Sequence, residues 1–125
     1  MRKIITVKDK SGIFINKVSG TIRTEDIFAH LINATLNLTN VPVLWDFTDA
    51  DIGKITYEEL VKMVKKLKPY AELRSGARTA IVASYDLPFD MVKVLNELAE
   101  SYQSSIQFKG FREIDQAKEW LSSPL

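Results

Sequence analysis

Cysteine is absent from this chain and histidine occurs once. The first absence removes disulfides, zinc–thiolate sites and cysteine nucleophiles together. The second leaves little room for imidazole chemistry. His30 stands four residues after Asp26 on a predicted helix, and no Ser-His-Asp or Cys-His set assembles around it; it is expected to be exposed and to pair along its own helix. Long apolar runs are also missing. None approaches the ~20 residues of a membrane-spanning helix, and Met1-Arg2-Lys3-Ile4-Ile5-Thr6 enters an alternating pattern without the apolar core of a signal peptide. An excess of one charge is missing as well. The formal net charge is +1, which calls for neither nucleic acid nor an anionic membrane. These absences predict a cytoplasmic protein that does not span a membrane and carries no cofactor.

What is present suffices for one domain over residues 1–125, since 46% of the residues are hydrophobic. The run Val41-Pro42-Val43-Leu44-Trp45-Asp46-Phe47 is almost unbroken in its apolar character and rich in β-branched and aromatic side chains. That pattern predicts a strand buried on both faces. It feeds an acidic stretch, Thr48-Asp49-Ala50-Asp51-Ile52-Gly53-Lys54, expected as a loop. Thr56-Tyr57-Glu58-Glu59 then has the T-x-x-E form of a capping box and predicts a helix start. Ligands of α/β proteins gather at the carboxyl ends of such strands, so the candidate site is placed on Asp46, Asp49, Asp51, Lys54 and Thr56.

Around this centre the chain alternates. Ile5 and Val7 alternate with polar neighbours, Asp9-Lys10-Ser11-Gly12 supplies turn chemistry, and Ile13-Phe14-Ile15-Asn16-Lys17-Val18 completes a β-hairpin. Thr24 is expected as an N-cap, followed by a helix with Ile27, Phe28, Leu31 and Ile32 on its apolar side. The helix after Thr56 places Tyr57, Leu60, Val61, Val64, Leu67 and Ala71 at core spacing, with Lys62, Lys65, Lys66 and Lys68 opposite. Ala77 to Ala83 reads as a second buried strand. Asp86-Leu87-Pro88 opens a third helix with Met91, Val92, Leu95, Leu98, Ala99 and Tyr102 inward, while Phe89 and Val94 fall off that stripe. Ile106 and Phe108 alternate as an edge strand, and Ile114, Ala117 and Leu121 line a short closing helix.

The predicted order is ββαβαβαβα: an α/β fold with a mixed five-stranded sheet, right-handed crossovers and helices mainly on one face. The other face would be thinly covered, and an exposed apolar surface recruits partners. Tyr85, Leu87, Pro88 and Phe89 are the expected interaction patch.

This order resembles the STAS superfamily, and more closely its SpoIIAA-like branch. Val18-Ser19-Gly20 ahead of Thr24-Glu25-Asp26 is similar to that branch's strand-Gly-helix opening, and Leu44-Trp45-Asp46-Phe47 is similar to its central strand. The segment from Phe111 to Leu121, with Ala117 and the Trp120-Leu121 pair, resembles its closing helix. The resemblance implies a non-enzymatic bacterial regulatory domain that binds a protein partner or itself. In the family a Ser or Thr at the start of the helix after the central strand, in an Asp-Ser-Ser-Gly motif, is phosphorylated by a partner kinase. That motif falls on Lys54-Ile55-Thr56-Tyr57, where only Thr56 carries over as a possible phosphoacceptor. The fold is shared with CRAL-TRIO domains, which implies the alternative of a lipid or other apolar small molecule as ligand.

Two features admit a sharp and a plain reading. Asp46, Asp49 and Asp51 could gather a magnesium ion, but the D-x-D spacing of metal-dependent hydrolases fails at Thr48, and solvated loop acids are the expectation. Thr56 could accept a phosphate on a helix amino terminus. Capping is its expected duty.

Overall fold

In a computed structural model, residues 3–35, 41–71, 78–84, 87–101 and 107–123 are described, with the side chains at 32–35, 67–71, 87–89, 98, 99 and 101 left aside. The elements are β1 (Ile4–Lys8), β2 (Phe14–Thr21), α1 (Thr24–Thr35), β3 (Val43–Asp51), α2 (Tyr57–Ala71), β4 (Arg78–Val82), α3 (Leu87–Ser101), β5 (Gln107–Phe111) and α4 (Ile114–Ser122). This is the expected ββαβαβαβα order.

The sheet order is β1-β2-β3-β4-β5, so each strand lies beside its neighbour in sequence. β1 pairs antiparallel with β2, and the remaining pairs are parallel. The hairpin turn is closed by Asp9, whose carboxylate accepts from the amides of Ser11 (2.9 Å) and Ile13 (3.0 Å) and from the Ser11 hydroxyl (2.8 Å). The Ser11 hydroxyl bond, the largest influence, holds that carboxyl below its usual range. Gly12 follows with φ 89°, a left-handed conformation that a glycine adopts without strain.

Alternation along the strands divides the core in two. Val43, Trp45 and Phe47 of β3 and Ile81 of β4 join Ile27 of α1, Leu60 and Met63 of α2, and Met91, Val92 and Leu95 of α3. Leu44 of β3 and Ala80 and Val82 of β4 join Ile13, Ile15 and the α4 residues Ala117 and Leu121. Side chains alternate across a sheet, so α1, α2 and α3 cover one face and α4 the other. Sequential strand order with right-handed crossovers requires this placement of the first three helices. α4 is fastened by Arg78, which donates from Nη1 to the carbonyls of Trp120 (2.6 Å) and Ser123 (3.1 Å) and lies over the Trp120 ring at 5.2 Å. Lys118 reaches Asp9 at 3.5 Å from the same helix.

The thinly covered face is therefore occupied by α4 across β3, β4 and β5, and among the described residues what it leaves uncovered lies at the hairpin end. Three further details depart from the sequence reading. Tyr57 is exposed at 62%, and Met63 takes the inward place instead. Val94 packs partly against the core. Thr24 is the first helical residue and not the cap: Arg23 accepts the first helical bond, from Ile27 (3.3 Å), and its own amide donates to Asp26 Oδ2 (3.0 Å). No described helix is long and apolar enough to cross a membrane.

Candidate functional site

The acidic stretch after the central strand is not a loop up to Asp51. Past a bulge between Lys17 and Ser19, β2 continues beside β3, pairing Ser19 with Asp49, Gly20 with Ala50 and Thr21 with Asp51. That pairing keeps residues 48–51 extended, and only Ile52 to Thr56 turn the chain into α2. Asp46 therefore lies within the strand, on the α4 face with Leu44, beside Lys17 and Val82 in register.

Asp46 is buried, which corrects the expectation of a solvated acid. Its Oδ1 accepts from the amide (3.0 Å) and the hydroxyl (2.7 Å) of Thr48. These two bonds compensate the carboxylate for lost water. Asp51 Oδ1 accepts from the Gly53 amide at 2.8 Å, while Asp49 and Lys54 are exposed. Among the described residues, no group of three or more Asp, Glu and His is placed to hold a metal ion. Asp46 and Asp51 are each engaged by the residue two places on, in a local turn, and Asp49 is exposed.

Thr56 has the geometry its motif predicts. Its Oγ1 accepts from the Glu59 amide (3.2 Å), and Glu59 Oε1 accepts from the Thr56 amide (3.4 Å) and hydroxyl (3.2 Å). This reciprocal capping box is worth about 0.5–2 kcal/mol to the helix. Glu59 Oε2 also accepts from the buried Thr24 hydroxyl at 3.5 Å, joining the starts of α1 and α2. A phosphoryl group on Thr56 would meet the Glu59 carboxylate as a like charge. The expected patch of Tyr85, Leu87, Pro88 and Phe89 lies outside the described residues for Tyr85, and outside the described side chains for the other three.

The structure assembles a polar cluster that sequence reading missed. Thr6 and Asn16 stand opposite one another in the hairpin, and His30 comes down on them from α1. The Thr6 hydroxyl donates to Asn16 Oδ1 at 2.6 Å, and His30 Nε2 lies 2.6 Å from Thr6 Oγ1 and 3.1 Å from Asn16 Oδ1. A neutral ring with its proton on Nε2 satisfies all three groups. Trp45 meets the ring edge-on at a centroid distance of 6.0 Å and stacks on Phe47. Burial holds the His30 pKa below its ordinary value. His30 is thus partly buried and bonded across the hairpin, not exposed and paired within its helix. In this arrangement Thr6 gives its proton to an amide oxygen and not to the ring, so the trio locks α1 to the hairpin. The available signal was the placement of Thr6 and Asn16 in phase with inward-facing Ile4 and Val18.

The outer face of the hairpin differs in kind. Ile5 and Val7 are 55% and 47% exposed, on the outermost strand and on the face that α4 covers farther along. Compared with protein-family models, with curated proteins and with solved structures, this chain finds no match.

Proposed function

We propose that this chain is a non-enzymatic interaction domain of the STAS-like type that binds a protein partner in the bacterial cytoplasm. The observation that carries the reading is the pair of half-exposed apolar residues, Ile5 and Val7, on an edge strand whose outer side pairs with no other described strand. Apolar side chains beside unpaired backbone groups favour association with another polypeptide. Two further features support it. Asp46, Thr48, Asp51 and Thr56 at the end of β3 are engaged in turns and a cap, and the element order agrees with the family that the strand and closing-helix motifs resemble.

Native mass spectrometry of the chain purified from bacterial cytoplasm tests this. The expected spectrum contains the chain in complex with a polypeptide, a second copy included. A stoichiometric acyl-chain adduct on an otherwise solitary chain would overturn the reading in favour of an apolar-ligand carrier.

A further inference from the structure

We propose that the partner seated on β1 is β1 of a second copy, the two strands running antiparallel about a two-fold axis at Thr6. This inference rests on the protein-binding reading above and gives that partner an identity.

The argument begins with the backbone. Ser19 donates its amide to the Lys3 carbonyl at 2.9 Å, and the ladder continues with Ile5 opposite Lys17 and Val7 opposite Ile15. In an antiparallel pair the residues that bond the partner strand alternate with residues whose groups point away. Lys3, Ile5 and Val7 therefore face β2, and the N–H and C=O groups of Ile4, Thr6 and Lys8 face the open edge.

A symmetric pairing centred on Thr6 uses all three outward residues. Thr6 meets Thr6 of the other copy, and Ile4 meets Lys8, each pair able to exchange two backbone bonds. The same register sets Ile5 opposite Val7 as a non-hydrogen-bonded pair, the kind whose side chains approach most closely. One step beyond the strand at each end, Lys3 stands opposite Asp9, so charge complements charge. Centring on Ile5 would put Lys3 against Val7, and centring on Val7 would put Ile5 against Asp9. Of these three registers, the Thr6 register alone sets Ile5 opposite Val7 and Lys3 opposite Asp9.

The surroundings suit this occupant. Ile15, beside Val7 in register, is already buried, so the pairing extends an apolar row from one copy into the other. At the opposite end of the sheet the edge is treated differently. Asn96 of α3 donates from Nδ2 to the Phe108 carbonyl (3.0 Å) and accepts from the Phe108 amide (3.2 Å), filling on β5 the place a further strand would take. The one charge within β1 is Lys8 at its end, and none lies between Ile4 and Val7, where a charge would guard the edge.

The absence of cysteine makes the register directly testable. Ile5→Cys and Val7→Cys are prepared as separate full-length variants, and each is oxidised alone and as an equimolar mixture. Residues directly opposite in such a pair lie within disulfide reach, and like positions lie on a longer diagonal. The expected product is a covalent dimer with one chain of each variant, formed in the mixture well above either variant alone. Light scattering over a concentration series should show wild type dimerising. Lys8→Pro should weaken that dimer about tenfold or more, because it removes an outward N–H that the β1–β2 ladder does not use. Its melting at low concentration, where the chain is monomeric, should be unchanged. Equal cross-linking in all three samples overturns the register. A wild type monomeric at every concentration overturns the inference; if that monomer binds a different polypeptide, the protein-binding reading survives, and if it carries an acyl ligand, both fall.

Discussion

The two ends of the sheet are built from similar material and finished in opposite ways. β1 and β5 are both five-residue edge strands with Lys on them. At β5, Asn96 takes up both outward groups of Phe108, Phe108 packs into one core, and Phe111 packs against the other beneath α4. At β1, the inward face is tied by Thr6 to Asn16 and His30, while the outward face leaves Ile5 and Val7 half exposed. A sheet end can thus be closed by one amide side chain and one helix, and among the described residues β1 has neither on its outer side.

Three measurements can break or sharpen this comparison. The largest effect is expected at the covered end. Leu121 is 7% exposed, and Leu121→Ala should cost about 2–5 kcal/mol in a denaturant melt. Val7→Ala at the open end should stay within about 0.5 kcal/mol when measured at concentrations that keep the chain monomeric. Equal losses would mean that the two ends are covered alike.

Asn96→Ala comes next. Losing both bonds to Phe108 should lower stability by about 1 kcal/mol, and it should bare the β5 edge. The variant is expected to show concentration-dependent association beyond the wild type in sedimentation, and the absence of any such change would remove Asn96 as an edge guard.

The smallest effect concerns the lock under β1. Burial lowers the His30 pKa in the folded chain, so the unfolded chain takes up the proton first as pH falls. Stability is therefore complete above about 6.5, the value of a free imidazole, and declines as pH drops from there through the folded value. Thermal melts should follow that slope, and His30→Gln should flatten it in this window. A wild-type profile that is level there, or rises on acidification, would contradict the buried neutral ring.

Most of the architecture was legible in the residues themselves. The apolar strands, the capping box at Thr56, the turn at Asp9 and Gly12 and the stripe of Ile114, Ala117 and Leu121 each follow from local chemistry and periodicity. The candidate site was less legible. The acids from Asp46 to Asp51 read as a loop because Asp is a weak strand former, yet pairing with Ser19, Gly20 and Thr21 keeps that segment extended. Asp46 then turns inward by alternation alone. His30 was misjudged because its partners lie 14 and 24 residues away on two other strands, beyond any helical spacing rule. The role of Asn96 likewise depends on where β5 comes to rest.

Sequential strand order also bears on how the chain is made. Each βα unit leaving the ribosome can add its strand to the edge of the sheet already formed, so the sheet grows by accretion in one direction, from the hairpin outward. α3 emerges before β5 and brings Asn96 with it. When β5 docks, the amide is already waiting at Phe108, and accretion ends there. Leu44, Ala80 and Val82 stay uncovered until α4 follows. Between those two events the face that α4 will cover is bare apolar surface of the kind a chaperone holds.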